Sequence, residues 1–443
     1  MTLGAAPSAL TPTYPFNAPN EPLELYSGTL TASEGDAPVA VDGVIRWEWL
    51  PTPRVTYTFA TDDPKTNGWE IGGDIQVSVP ESEPLLSGDS ESATAEDTSG
   101  AWALSIDGWL KPTTRGNSSD VRRVTFLLPN VPQVNGAWIR GHGGSWNGRW
   151  SLEAGDWQFT IDERHDRIPV RQELRKSGGY VFTHVGEFTR KDGAPISEGE
   201  ISNVLHLLRC IFSFSFGRAT SPALASGYDS SNSLTWVDWR VFHITPWTAR
   251  AQVIDETGFA DLEQIFTGFG SLWSDPFERE LLSNAISYYL ECNEMNPLPL
   301  ATSAGQACLE LLAYERLVEE QQTVTSRQYK ARSAHDNISA LLASYKISNT
   351  IPTELTRLSG AASSVNPPCG SGPEIITRMR NGVIHPSRKK PKFSTEEWLE
   401  CWQLVSSYLI LSVLGRVSFK GSYRDPVNPV KYAGSVTKVP WAP

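Results

Sequence analysis

The spacing of apolar positions changes character along the chain. Up to about residue 195, short runs such as "RVTYTFA", "VRRVTFLLP", "GAWIRGH", "DWQFTID" and "GYVFTHVGEFTR" are rich in β-branched and aromatic residues, and Gly, Pro, Asn and Asp bound them. Such runs predict strands. After about residue 255 the period lengthens. Leu281, Leu282, Ala285, Ile286, Tyr289 and Leu290 recur at helical spacing, and so do Ala307, Leu311, Tyr314 and Leu317. "DNISALLASYKI" and "TEEWLECWQLVSSYLILSVLG" predict two more helices, the second with Ser394 or Thr395 as N-cap and Glu396 and Glu397 in its first turn. Between the two regimes, Ser197 to Gly217 reads as one helix, with Glu198 and Glu200 at its start and Gly217 at its end.

The expected fold class is therefore α+β: a β-rich, sandwich-like N-terminal domain followed by an all-α bundle. The boundaries are an irregular Pro-rich tail at 1–22, a recognition or regulatory β-domain at 23–195, and a connecting helix with a turn-rich segment at 196–254. A helical domain at 255–420 and an extended tail at 421–443 complete the chain. The acidic, Ser-rich stretch Pro80 to Gly100 has little to bury and is expected as a long mobile loop.

Composition narrows the partners. The 443 residues are 40% apolar and 20% charged, as in globular proteins, and the formal net charge is −12. Any grip on nucleic acid must come from a local basic patch. Five scattered cysteines, with no CxxC pair, argue against a disulfide framework or a Cys-rich zinc site and for a reduced, cytoplasmic setting. The first residues show no basic segment or long apolar run, so no signal peptide is expected. The apolar stretch Cys401 to Gly415 is shorter than a bilayer span and reads as a core helix.

One basic stretch stands out, "RMRNGVIHPS", Arg378 to Ser387, followed by Arg388, Lys389, Lys390 and Lys392. "EIITRMRNGVIHP" begins as a helix, and Pro386 ends it near His385. On an ideal helix Asn381 lies one turn from His385 and Arg378 two turns, so these three share a face, while Arg380 points elsewhere, although its side chain is long and the helix ends there. A histidine moves protons near neutral pH, an arginine holds a phosphate through two donors, and an asparagine orients either. Together they can cleave an RNA phosphodiester without metal, the 2′-hydroxyl attacking while arginine stabilises the charged transition state. The blander readings are a charged helix end and a solvated basic run.

Arg380-Asn381-three residues-His385 resembles the Arg-polar-X3-His motif of HEPN domains (higher eukaryotes and prokaryotes nucleotide-binding). "YYLECNEM…TSAGQACLELLAYERL" resembles the helical pair that precedes the motif in a group of bacterial HEPN proteins. "LHLLRCIFSFSFGRATSPALASGYDSSNSLTWVDWR" resembles the segment joining their β-rich region to the bundle. Over roughly residues 200–420 the layout is similar to the ApeA-like HEPN proteins of anti-phage defence. The resemblance implies a four- or five-helix bundle and a metal-independent endoribonuclease. Arg380 would be the phosphate and transition-state ligand, His385 the general acid/base and Asn381 the orienting residue. It also implies a homodimer through the helical domain, with two motifs at one cleft, and no cofactor. RNA is the expected substrate, with Arg378, Arg388, Lys389, Lys390 and Lys392 as backbone contacts. A phage-derived cue acting through the N-terminal domain is the expected trigger, in abortive infection. Glu310 and Tyr314 are auxiliary candidates on the helix expected to pack near the motif, with a structural salt bridge or hydrogen bond equally open for Glu310.

Rival functions are a non-catalytic HEPN dimerisation or sensor protein, and a carbohydrate-binding β-domain using Trp47, Trp49, Trp138, Trp146, Trp150 and Trp157. Buried core is the favoured reading of those tryptophans. Gly141 to Gly148 reads as a turn rather than a phosphate loop. Glu48, Asp162 and Glu163 read as strand-end charges rather than glycosidase carboxylates, and His142, His165 and His184 lack metal-ligand spacing.

Overall fold

In the computed structural model, all residues are described except 1–5, 36–37, 67–68, 70–71, 80–85, 99–100, 295–296, 386–390, 429–431 and 443. Alternation in the first strands closes into a barrel. β1 (Leu23–Ser33), β2 (Val39–Glu48), β3 (Arg54–Thr61), β4 (Asp74–Ser78), β5 (Leu86–Thr98) and β6 (Ala101–Leu110) pair antiparallel in the order β1-β2-β3-β6-β5-β4. Pairing of β1 with β4, Thr31 opposite Ser78, seals the ring. Val39, Val41, Ile45 and Trp47 of β2 and Val55, Tyr57 and Phe59 of β3 are buried, alternating with less buried partners. A closed barrel leaves no sheet edge.

Two expectations change here. The N-terminal region is a closed barrel joined to a separate sheet, not a sandwich. The expected loop at 80–100 is largely strand: β5 runs from Leu86 to Thr98 between β4 and β6, while 80–85 and 99–100 lie outside the described residues. A barrel strand needs only one inward face, and here small residues supply it. Leu86 and Ser90 are buried, and a Cβ on Gly88 would come within 2.7 Å of the Tyr57 ring. Small inward residues make room for tyrosine, so the strand carries almost no hydrophobic signal.

The second sheet has eight strands. β7 (Thr114–Gly116), β8 (Arg123–Pro129), β9 (Ala137–Gly141), β10 (Gly144–Ala154), β11 (Trp157–Glu163), β12 (Phe182–Arg190), β13 (Ala223–Tyr228) and β14 (Leu234–Asp238) run in the order β7-β14-β13-β8-β12-β11-β10-β9. A tight turn at His142 and Gly143, with Gly143 at φ +92°, links β9 to β10, as expected for the Gly-rich run. Helix α1 (Arg167–Ser177) follows β11, and α2 (Glu198–Phe216) follows β12. The segment 196–254 thus supplies a helix and two sheet strands rather than a connector.

The sheet is a middle layer. On β8, Val124, Phe126 and Leu128 join the core shared with α2, whereas Leu127 joins the barrel-side core. Burial on both faces explains the near-continuous apolar run there. Helix α2 is buried almost throughout. Ser197 and Glu200 form a capping box at its start, and Gly217 ends it at φ +62°, where a Cβ would meet the Ala251 carbonyl at 1.8 Å.

Beyond the sheet lie α3 (Phe259–Leu272), α4 (Pro276–Asn293), α5 (Leu298–Tyr314), α6 (Ser326–Ala331), α7 (Ala334–Ser344), α8 (Thr356–Ser364), α9 (Gly372–Ile384) and α10 (Thr395–Arg416). A π-helical turn at Glu315–Glu320 extends α5. α10 opens on a Ser394–Glu397 capping box, buries Leu404, Val405, Leu409, Ile410 and Val413, and packs on α4, α5 and α8. One continuous core runs from the sheet through α2 into these helices, and the barrel core is separate from it. Among the described residues no helix is long and apolar enough to cross a membrane.

Both tails are fastened. Leu10 N donates to Asp162 Oδ2 at 2.7 Å, and Arg164 donates to the Asn17 carbonyl at 2.9 Å. At the other end β15 (Ser422–Tyr423) pairs with β16 (Thr437–Lys438), and Trp441 Nε1 donates to the Phe419 carbonyl.

Candidate active site

Helix α9 carries the motif, and its first turn anchors it. The Ser371 side chain accepts from Glu374 N, Glu374 accepts in turn from Gly370 N, and Gly372 N donates to the Asn349 carbonyl. Gly372 lies so close to α10 that a Cβ would sit 2.3 Å from the Tyr408 hydroxyl. Ile375, Ile376 and Met379 are fully buried, and α5 and α7 pack against the helix. The predicted end is the observed one: Ile384 is the last helical residue, and His385 caps it, its N–H donating to the Asn381 carbonyl at 3.1 Å. An apolar face locked into the bundle therefore presents its last turn at the surface, with His385 exposed.

Arg380 does not point away from the set. It is half-buried, and its Nη1 donates to Asn381 Oδ1 at 3.2 Å. Its Nε is shielded from solvent with no acceptor among the described residues. One motif residue thus fixes the guanidinium of another, a contact that an ideal-helix projection misses because it ignores the reach of a long side chain. Arg378 is committed elsewhere. Its Nη1 and Nη2 donate to the Asn366 and Pro367 carbonyls at 3.2 and 3.4 Å, tying α9 to the loop after α8. Lys392 is exposed, and Arg388, Lys389 and Lys390 lie outside the described residues.

Glu310 and Tyr314 sit on α5, which does pack on α9. Gln306 Nε2 donates to Glu310 Oε1 at 2.9 Å, and the Glu310 carbonyl accepts from the Tyr329 hydroxyl at 2.8 Å. Tyr314 donates to Ser326 Oγ at 3.3 Å and meets the Tyr329 ring edge-on at 5.2 Å. The Tyr314 and Tyr329 contacts fasten α6 onto α5, while the Glu310 side-chain bond lies within α5.

Several of the other candidates are structural, whereas Trp138 is exposed. Trp47, Trp49 and Trp150 are fully buried, and Trp146 is buried with its Nε1 donating to the Glu163 carbonyl, so they form core rather than a sugar groove. Asp162 takes two bonds from Arg149 and one from Leu10 N. Glu163 pairs with Arg171 deep under α1. His184, wholly buried, lies against the Trp150 ring at 4.6 Å, and burial, with Arg171 nearby, holds its pKa well below the usual 6.5. Among the described residues no group of three or more His, Cys, Asp or Glu gathers as metal ligands. The five cysteines are free and buried, and burial pushes the Cys210 and Cys292 thiols up to about 11.

Residues 116–250 match the family model of the YopA central domain, and residues 275–438 match that of the YopA C-terminal domain. An SPbeta prophage-derived uncharacterized protein YopA of Bacillus subtilis (strain 168) is 25% identical over 433 residues, covering 95% of each chain. The chain is similar to YopA along nearly its whole length. The central-domain match begins just after the barrel, and the C-terminal match begins at the N-cap of α4, so the motif lies in the part similar to the YopA C-terminal domain. No solved structure matches.

Proposed function

We propose that this chain is a HEPN-type, metal-independent endoribonuclease of the cytoplasm, with Arg380, Asn381 and His385 as its reacting set. The observation that carries the reading is the end of α9. Arg380 and Asn381 are joined side chain to side chain on the last turn of an otherwise buried helix, and the histidine stands exposed at the cap.

The chemistry follows from that arrangement. Asn381 Oδ1 holds Nη1 of Arg380 while Nε is shielded, and the outer N–H groups of the guanidinium take non-bridging phosphate oxygens. The RNA 2′-hydroxyl attacks the adjacent phosphorus as His385 takes or returns a proton. Charge building on the pentacovalent phosphorus is stabilised by Arg380. The P–O5′ bond breaks, leaving a 2′,3′-cyclic phosphate and a 5′-hydroxyl. Lys392 adds attraction for the RNA backbone. Dimerisation through the helical domain brings two such sets to one cleft, and the β-rich half restrains the enzyme until a phage-derived cue engages it. The prophage origin named for the relative suits a part in contests between phages, of which abortive infection is one.

A second reading has its own observation. Arg378 clamps a loop, and the Arg380–Asn381 bond can serve simply to close a helix end. A non-catalytic dimerising sensor would use the bundle in that way.

RNA cleavage in EDTA by wild type, Arg380→Ala and His385→Ala, with and without infected-cell extract, separates the two. Cyclic-phosphate ends formed by wild type and lost in both variants support the ribonuclease. Equal behaviour of all three in every condition supports the sensor.

A further inference from the structure

Two exposed lysines in the helical half have no counter-charge. Lys346 follows α7 and Lys420 follows α10, and neither side chain makes an ion pair among the described residues. They line one cavity of about 320 Å³, together with Arg316 of the π-helical turn, Arg416 at the end of α10 and Trp441 of the C-terminal tail. Trp441 ties the two lysine-bearing segments to each other. Its ring lies 6.3 Å from that of Tyr345, next to Lys346, and its Nε1 donates to the carbonyl of Phe419, next to Lys420.

The arginines behind them are fixed and balanced. Arg316 lies over the Tyr345 ring at 4.6 Å, and its Nε donates to Ser344 Oγ at 3.4 Å. Arg316 and Arg416 close on the Glu320 carboxylate, one on each oxygen, and Arg416 also holds Glu278. The Glu320 side chain is 42% exposed, so the point on which both guanidiniums converge is open to solvent. Two arginines are thus matched by two glutamates, and the lysines are the excess. The C-terminal ends of α7 and α10 supply about half a negative charge each, which offsets about one lysine of the two. Positive charge is left over at an accessible cavity, in a chain whose net charge is −12. Ser418, exposed on the same cavity, adds a hydroxyl with no partner among the described residues.

We propose that this cavity binds the phosphate group of a small phosphorylated molecule, with Lys346 and Lys420 as its charge partners and Ser418 as a hydroxyl donor. Lysine holds phosphate as a point charge on a flexible stem, so two exposed lysines on adjoining segments can swing onto one anion. The volume suits a small molecule, and the half-buried Trp441 ring gives its organic part a surface to pack on. Glu320 competes with the phosphate for the same field. Among the described residues lining the cavity none belongs to α9, so occupancy does not depend on RNA cleavage.

The test is calorimetric titration of the full chain with inorganic phosphate and with adenosine monophosphate, at an ionic strength held constant with chloride. Saturable binding is expected. Tighter binding of the nucleotide assigns the ligand an organic part, and equal binding assigns free phosphate. Lys346→Ala and Lys420→Ala should each weaken binding by about fivefold. Both residues are exposed, so their variants should keep the wild-type Tm. Lys346→Arg should bind nearly as wild type does, and Glu320→Gln should bind more tightly, which a purely structural cluster would not do. If Glu320→Gln does not fold, the lysine variants decide the matter. Lys330→Ala, at an exposed lysine of α6 outside the cavity, should change nothing. No saturable binding of either probe by wild type overturns the proposal. So does affinity that survives both lysine-to-alanine variants, or that falls as much in Lys330→Ala.

Discussion

The barrel and the rest of the chain differ sharply in charge. Residues 23–110 hold sixteen Asp and Glu against three Lys and Arg, a net charge of −13, whereas the whole chain carries −12. Everything outside the barrel is therefore close to neutral, at +1. The barrel keeps its aromatic residues inside and its acids outside, Asp42, Asp89 and Asp107 among them. The end of α9 shows the reverse, with an apolar face locked in the bundle and arginine and histidine at the tip. Charges more than about 8 Å apart are largely screened at physiological salt, so an acidic average does not forbid a basic site elsewhere. A single pI near 5.2 hides one strongly acidic part and one that is nearly neutral.

Four measurements can break or sharpen that contrast. The largest effect is expected at the α9 tip: His385→Ala should lower RNA cleavage by about 10²–10⁴-fold with an unchanged Tm, because an exposed cap residue contributes little to packing. Core truncation comes next and tests whether the two cores are distinct. Trp47→Ala in the barrel should cost about 3–5 kcal/mol and Leu409→Ala in α10 about 2–5 kcal/mol. Hydrogen exchange should localise the first loss to the barrel strands and the second to the sheet, α2 and the bundle together. If both variants loosen all amides equally, the two cores act as one cooperative unit.

The third effect concerns pH. His184 has a folded pKa held well below its ordinary value of 6.5, by burial first and Arg171 second. Below pH ~6.5 the unfolded chain gains a proton that the folded chain refuses, so stability falls as pH falls, by about 1.4 kcal/mol per unit. Denaturant titrations between pH 7 and pH 5 should show a shallower decline in His184→Phe than in wild type. An equal slope would mean that other groups govern the acid limb. The smallest effect is electrostatic. Lys392→Ala should reduce the slope of log binding constant against log salt for single-stranded RNA by about 0.7, while neutralising Asp42 on the barrel leaves that slope unchanged.

Legibility differed by region for physical reasons. Helices α2, α4, α5, α7, α9 and α10 were readable because each repeats an apolar stripe, and caps such as Ser197, Gly217 and Ser394 are local. Strand β5 was not. Its inward positions are filled by Gly88 and Ser90, residues chosen by the Tyr57 ring across the barrel rather than by any periodicity of their own. At the candidate site, the helix end at His385 follows from Pro386, but the Arg380–Asn381 bond depends on side-chain reach.

By itself the sequence determined the change from strand to helix, the caps, the motif and the end of α9, because each depends on neighbours a few positions away. Only the tertiary structure decided that six strands close into a barrel, that the sheet is a buried middle layer, and which arginines are committed. Arg378 grips a loop, Arg380 meets Asn381, and Arg115 lies over the Trp239 ring. Those outcomes turn on contacts between residues far apart in sequence, where burial and the geometry of long side chains outweigh local preference.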